Sequence, residues 1–136
     1  RRREGARNVN LLGGEPAVNT PGVLGLLGQL EADTCVVWNS NMYYNAVVDE
    51  MIEGLAEVVL ADFKCGNAEC SRRLLGAGDY VETAQASLER ASVHATAIVR
   101  HLVLPGHLEC CLRPILIPLC LPPTSMPSAN SQPPPT

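Results

Sequence analysis

Gly13, Gly14 and Glu15 could form a ligand-binding turn, because they directly follow a short apolar strand. Glycine has no Cβ, so the backbone of such a turn can approach a ligand closely. Glu15 adds a carboxylate that can accept hydrogen bonds from an ammonium group. An ordinary turn between a strand and a helix would use the same residues, and these residues alone leave both interpretations open.

Asp62 and Lys64 are a second candidate pair. They lie two residues apart in a predicted strand, so their side chains point to the same side of it. A buried pair of opposite charges costs free energy unless hydrogen bonds satisfy it, which favours a polar ligand site here. The alternative is a solvent-exposed ion pair at the end of the strand.

His101 follows Arg100 within an otherwise apolar strand. A single histidine in a strand is either a hydrogen-bonded structural residue or a ligand-binding one. Its position level with the other candidate residues favours the second interpretation, without excluding the first.

The cysteines are irregularly spaced, and they are Cys35, Cys65, Cys70, Cys110, Cys111 and Cys120. Zinc ribbons use pairs with two residues between the thiols, whereas Cys65 and Cys70 have four between them and Cys110 and Cys111 are adjacent. We therefore predict no metal site formed by these cysteines. The spacing is also unlike that of secreted disulfide scaffolds, which favours reduced thiols and a cytoplasmic protein.

Composition argues against two classes of partner. The net charge is -4, and nucleic-acid binding normally requires clustered positive charge. We interpret the opening run Arg1 to Arg3 as the exposed end of a helix. No apolar run approaches the ~20 residues that span a bilayer, so we expect neither a nucleic-acid nor a membrane partner.

Strands and helices alternate along the first three-quarters of the chain. We predict strands at 8–12, 34–38, 57–64 and 97–104, and helices at 21–30, 46–55, 69–75 and 80–91. Gly76 is predicted to stop the third helix, Asp79 to cap the fourth, and residues 39–41 to break the second strand. This alternation predicts a parallel sheet, whose C-terminal strand ends would bring the polar candidates to one rim.

The composition changes near Pro114. Residues 114–136 are rich in proline and serine and contain no charge, a composition typical of disordered segments. We therefore divide the chain into a folded domain at 1–113 and a low-complexity tail at 114–136.

Four segments, in order and spacing, resemble the radical S-adenosylmethionine (SAM) proteins similar to pyruvate formate-lyase activating enzyme. They are NLLGGEP at 10–16, VWNSN at 37–41, LADFK at 60–64 and RHLVLPG at 100–106, with further similarity in GNAEC at 66–70 and GAGDY at 76–80. The resemblance extends from Asn8 to Pro114.

This resemblance implies a fragment of a parallel (β/α)6 partial TIM barrel that binds SAM and a 4Fe-4S cluster. In the family, the reduced cluster cleaves SAM to methionine and a 5′-deoxyadenosyl radical. That radical abstracts a hydrogen atom from a small molecule or from a glycine of a partner protein, as in the glycyl radical enzymes.

The resemblance also implies roles for residues at the strand ends. Gly13, Gly14 and Glu15 would contact the methionine amino end of SAM. The polar lining would continue through Asn39, Asn41, Asp62 and Lys64, and His101 would approach the nucleoside.

The chain departs from the family at its cluster. No C-x-x-x-C-x-x-C motif occurs in it, and the strand that would precede this motif is absent. Without thiolates a cluster has no protein ligands. We therefore expect a fragment, cut from a longer protein, that keeps SAM-binding strand ends but is inactive alone. A non-catalytic α/β module that binds a nucleotide-like ligand or a partner protein is the alternative, and a gene remnant that does not fold stably is a third.

Overall fold

The computed structural model describes residues 4–105 of the chain, in which one or two helices connect each strand to the next. The elements are β1 (Asn8–Leu11), a 3-10 helix (Pro16–Asn19), α1 (Thr20–Leu27), β2 (Cys35–Ser40), α2 (Ala46–Ile52), β3 (Val58–Phe63), α3 (Ala68–Leu75), α4 (Tyr80–Ala91) and β4 (Thr96–His101). The strands form one parallel sheet in the order β1-β2-β3-β4. The prediction of an α/β fold with a parallel sheet is confirmed.

The hydrophobic core lies between the helices and one face of the sheet. Trp38, Val59 and Phe63 contribute from the strands, and Tyr80 and Leu88 contribute from α4. Burying each large apolar side chain stabilises the fold by roughly 1.5–3 kcal/mol. The strict alternation of buried and half-buried residues along β3 shows that only one of its two faces belongs to this core.

The opposite face of the sheet, which we call the open face, is much less covered. Asn10, Ile98 and Arg100 on it are exposed, and Leu60 and Asp62 are half-buried. The helices instead pack on the core side, because successive right-handed crossovers in the order β1-β2-β3-β4 all leave the sheet on that side. The open face is therefore the surface of the sheet on which ligand-binding side chains can be reached.

The strand boundaries differ from prediction where pairing between strands determines them. β2 continues through Asn39 and Ser40, although a break was expected there, because these residues pair with Leu60 and Ala61 of β3. β4 ends at His101, short of residue 104, because its last partner is Phe63 at the end of β3.

Three other ends are earlier than predicted, namely those of β1 at Leu11, α1 at Leu27 and α2 at Ile52. After α2, Gly54 has a φ of 73°, in the left-handed region where a helix cannot continue.

Of the two predictions for the segment between α3 and α4, the helix stop at Gly76 is confirmed and the side-chain cap by Asp79 is wrong. Gly76 ends α3 with a φ of 72° and donates its amide to the carbonyl of Arg72. Asp79 precedes α4, but its side chain makes no capping hydrogen bond. Its Oδ1 instead accepts from the hydroxyl of Tyr43 at 2.7 Å, so a tertiary contact takes the place of the local cap.

The Pro- and Ser-rich tail at 114–136, the domain boundary at residue 113 and the last three cysteines lie outside the described residues. Within residues 4–105, no helix combines the length and the apolar character needed to cross a lipid bilayer.

Candidate functional site

Polar side chains from all four strands form a connected set on the open face, which we call the open-face network. Asn39 Nδ2 donates to Asn10 Oδ1 at 3.4 Å, and Arg100 Nη2 donates to Asn39 Oδ1 at 2.9 Å. Arg100 Nε also donates to Asp62 Oδ1 at 2.5 Å, and Lys64 Nζ donates to Asp62 Oδ2 at 2.9 Å. Asn39, Asp62 and Lys64 were predicted site residues, and the structure brings them together.

Strand register explains why these side chains meet. Asp62 pairs with Arg100, and Leu60, two residues before Asp62, pairs with Asn39. Because side chains alternate along a strand and paired residues of neighbouring strands share a face, the three side chains point to the same side. Lys64 lies one residue beyond β3 and keeps the direction of Asp62, as predicted from their spacing.

One carboxylate lies between two cations in the open-face network. Burial raises the pKa of Asp62, but hydrogen bonds and charge from Lys64 and Arg100 outweigh it and lower the pKa below its ordinary value. The side chains remain 26% exposed at Asp62, 35% at Lys64 and 48% at Arg100. Because lysine and arginine have more N–H donors than these contacts use, both cations can also bind an anionic or hydroxyl group of a ligand.

Glu15 joins the end of β1 to the end of β2. Its Oε1 accepts from Ser40 Oγ at 2.6 Å, and its Oε2 accepts from the Asn41 amide at 2.8 Å. The Ala17 amide also donates to Oε1 at 3.4 Å, at the start of the 3-10 helix. Both carboxylate oxygens of Glu15 therefore hold the rim of the sheet together.

Gly13 and Gly14 form an exposed turn directly before Glu15. Their φ angles are 101° and 63°, in the left-handed region that side chains rarely adopt. A Cβ added at either position would meet no atom within 4 Å. The turn therefore faces open space, which leaves room for a ligand next to its peptide groups.

The side chain of Asn41 is turned away from the open-face network. Its Oδ1 accepts from the Tyr43 amide at 2.8 Å, an Asx turn that is common where chains reverse direction. Met42 between them has a φ of 63° and is completely buried. The main chain and the side chain of Asn41 therefore both form hydrogen bonds within the fold at the end of β2.

His101 also lies apart from the open-face network. Its Nδ1 is 2.8 Å from the carbonyl oxygen of Phe63. Because it follows Arg100 in the strand, alternation directs its side chain toward the core side of the sheet. The alternation of side chains along a strand could have shown from the sequence alone that Arg100 and His101 point to opposite faces of the sheet.

Sequence reasoning missed two members of the open-face network, Asn10 and Arg100, and a third residue, Tyr80. Asn10 and Arg100 share a face with Asp62 by strand periodicity, so an alignment of the predicted strands could have identified them. Tyr80 carries no local signal, because its partners are main-chain groups 16 to 39 residues away.

Within residues 4–105 there is no group of three His, Cys, Asp or Glu side chains that could hold a metal ion. The three cysteines in this region form no disulfide; Cys35 is half-buried, and Cys65 and Cys70 are buried. The described residues therefore do not fit a metal centre.

Comparison with known proteins places the chain beside an archaeal relative. No protein-family model matches it. Over 114 residues, 84% of the chain, it is 37% identical to an uncharacterized protein of Methanocaldococcus jannaschii. The chain spans about a third of that relative, 33% of its length. The similarity therefore joins this chain to one segment of a longer archaeal protein.

Proposed function

We propose that this chain is the SAM-binding segment of a radical SAM protein of the pyruvate formate-lyase activating type. The open-face network, with two cations, a carboxylate and two amides near the C-terminal ends of parallel strands, is the observation that carries the proposal. In parallel α/β barrels, ligands bind beyond those ends.

The arrangement of the sheet supports a segment of a partial (β/α)6 barrel. Strands in the order β1-β2-β3-β4 with their helices on one side have the connectivity of a barrel wall, whereas an open doubly wound sheet reverses its strand order at a switch point. In this arrangement the open face is the inside of the barrel. The open-face network would then line its mouth.

The chemistry of SAM suits these residues. SAM has an amino-acid end, with a carboxylate and an ammonium group, and a ribose with two hydroxyls. Lys64 and Arg100 can bind the carboxylate, and the carboxylate of Asp62 can accept from hydroxyl or ammonium groups. The exposed turn at Gly13 and Gly14 would approach the ligand from the end of β1, on the far side of β2.

A 4Fe-4S cluster does not fit the described residues, because no three of their thiolates, imidazoles or carboxylates converge. When such a cluster is bound to a radical SAM protein, it supplies the electron that cleaves SAM. The role we propose for residues 4–105 is therefore to bind and orient SAM. Cluster ligands, and contacts to the small molecule or partner protein that the radical attacks, would belong to other parts of a longer protein.

A second candidate is a non-catalytic module that binds a nucleotide-like anion. The paired cations Lys64 and Arg100 favour it, because they would bind a phosphate as readily as a carboxylate. Competition between SAM and adenosine monophosphate distinguishes the two candidates. Preference for SAM supports the first, and preference for the phosphate supports the second.

Calorimetric titration of SAM into the chain tests the proposal. We expect wild type to bind SAM and an Asp62→Ala variant to lose most of that affinity, because the carboxylate organises both cations. A Glu50→Ala variant, which removes an exposed carboxylate on α2, is the matched control and should bind like wild type. Absence of binding heat from wild type at high SAM concentration would refute the proposed function.

A further inference from the structure

Tyr80 makes a three-way contact at the rim of the sheet. Its hydroxyl oxygen accepts from the Lys64 amide at 2.8 Å. The hydroxyl proton is directed at the carbonyl oxygens of Asn41 and Asp62, each 3.1 Å away. Tyr80 is only 2% exposed, so water does not compete for these contacts.

The hydroxyl lies where the pairing of β2 with β3 stops. The last pair in this ladder is Ser40 with Ala61, so Asn41 and Asp62 would be the next. Both of their carbonyl oxygens are acceptors, and they share the proton of the Tyr80 hydroxyl. The hydroxyl of Tyr80 thus connects the ends of β2 and β3 at the first position beyond their last backbone pair.

Aromatic packing holds Tyr80 in this position. As the first residue of α4, it packs against Phe63 and Tyr43, with ring centroids 5.9 Å and 5.7 Å away. Burial is the main cause that raises its pKa to about 12. The hydroxyl therefore keeps its proton, and can donate it, throughout the physiological range of pH.

We propose that Tyr80 is a positioning residue for the SAM site, an inference that rests on the proposed function. The main chain of Asp62 and Lys64 is bound to Tyr80 on one side, while their side chains extend into the open-face network on the other. Fixing this segment holds the carboxylate and the ammonium of the network in register with β2. Misplacement of binding groups by even a fraction of an ångström weakens a ligand site.

The test compares Tyr80→Phe with Tyr43→Phe. The first removes only the buried hydroxyl, and the second removes an exposed hydroxyl that bonds to Asp79. We expect Tyr80→Phe to raise the SAM dissociation constant about ten-fold or more and Tyr43→Phe to change it less than about two-fold, because only the first loses buried hydrogen bonds at the site. If the Tyr80 hydroxyl had a purely structural role, Tyr80→Phe would lower the melting temperature but leave the SAM affinity of the folded protein unchanged.

Amide hydrogen exchange in the wild-type protein gives a second measurement that needs no variant. Because the Lys64 amide donates to Tyr80, SAM bound to the Lys64 side chain should slow its exchange about ten-fold or more by holding the segment closed. Unchanged exchange at saturating SAM would overturn the inference, even where Tyr80→Phe does not fold.

These measurements distinguish a failure of the inference about Tyr80 from a failure of the proposed function. If wild type binds SAM and Tyr80→Phe binds equally tightly, the inference alone falls. If wild type does not bind SAM, the proposed function falls and the inference falls with it.

Discussion

Arg100 on β4 reaches across β3 to donate a hydrogen bond to Asn39 on β2, with 2.9 Å between Nη2 and Oδ1. On the way its Nε binds Asp62 of the intervening strand. A long side chain is required for this, since neighbouring strands lie about 4.8 Å apart. One guanidinium therefore connects three strands of the open face.

Replacing Arg100 by leucine should weaken both ligand binding and the fold. Asn39 is only 8% exposed, so its Oδ1 would be left buried without its donor, at a cost of about 1–3 kcal/mol. We expect a smaller free energy of unfolding, measured by urea titration with the fluorescence of Trp38, the one tryptophan in the chain. Arg72→Leu, at an exposed arginine of α3, serves as the control, and equal stability of wild type and Arg100→Leu would contradict the contact.

The stabilisation that Asp62 provides should disappear in acid. Its pKa is lower in the fold than its ordinary value of 3.8, so the folded state favours the charged form. The contribution is therefore fully present above the unfolded pKa and is lost as the pH falls through the lower, folded pKa. Urea titrations of wild type and Asp62→Asn from pH 7 to about pH 2 should give curves that differ at neutral pH and converge in acid. A constant difference would show that the charge of Asp62 is unimportant.

Asp49 on α2 should show the opposite pH dependence. Burial raises its pKa above the ordinary 3.8, even though Arg90 Nε is 2.7 Å from Oδ2 and opposes the shift. The folded state therefore favours the protonated form, and the stabilisation that it gives below the unfolded pKa is lost as the pH rises through the folded pKa. The stability of wild type relative to Asp49→Asn should accordingly decrease as the pH rises from about 3. An increase over that range would contradict the burial of this carboxylate.

Glu15→Ala should destabilise the rim. Ser40 is 2% exposed, and the substitution leaves its hydroxyl and the Asn41 amide without their acceptor. Loss of such buried contacts costs about 1–3 kcal/mol, and urea unfolding would measure it. The control is Glu50→Ala, which removes an exposed carboxylate of α2. Similar values for both variants would mean that Glu15 does not join β1 to β2.

Reconstitution with iron and sulfide should not load a 4Fe-4S cluster onto this chain. No C-x-x-x-C-x-x-C motif is present, and a cluster requires converging thiolates. Anaerobic reconstitution followed by desalting and visible absorbance spectroscopy would measure this. A stable absorbance band that bleaches on reduction would contradict the prediction, and a ferredoxin treated in parallel verifies the procedure.

Much of the fold was predictable because its signals are local. Apolar runs of strand length, helical periodicity and the glycine at Gly76 identify the order of elements, and that order implies a parallel sheet. The end of β2 was not predictable, because Asn39 and Ser40 are turn-forming residues by local preference but pair with β3 in the fold. Pairing between strands overrides local preference whenever both main chains gain hydrogen bonds.

For the site, the sequence by itself determined that Asp62 and Lys64 share a side, because side chains alternate with a period of two along a strand. Only the tertiary structure decided that Arg100 reaches Asn39, that the oxygens of Glu15 are bound within the rim, and that the hydroxyl of Tyr80 joins two strand ends. These contacts join residues 18 to 61 positions apart. Their geometry depends on register between strands and on how α4 packs, and both are set by the whole core.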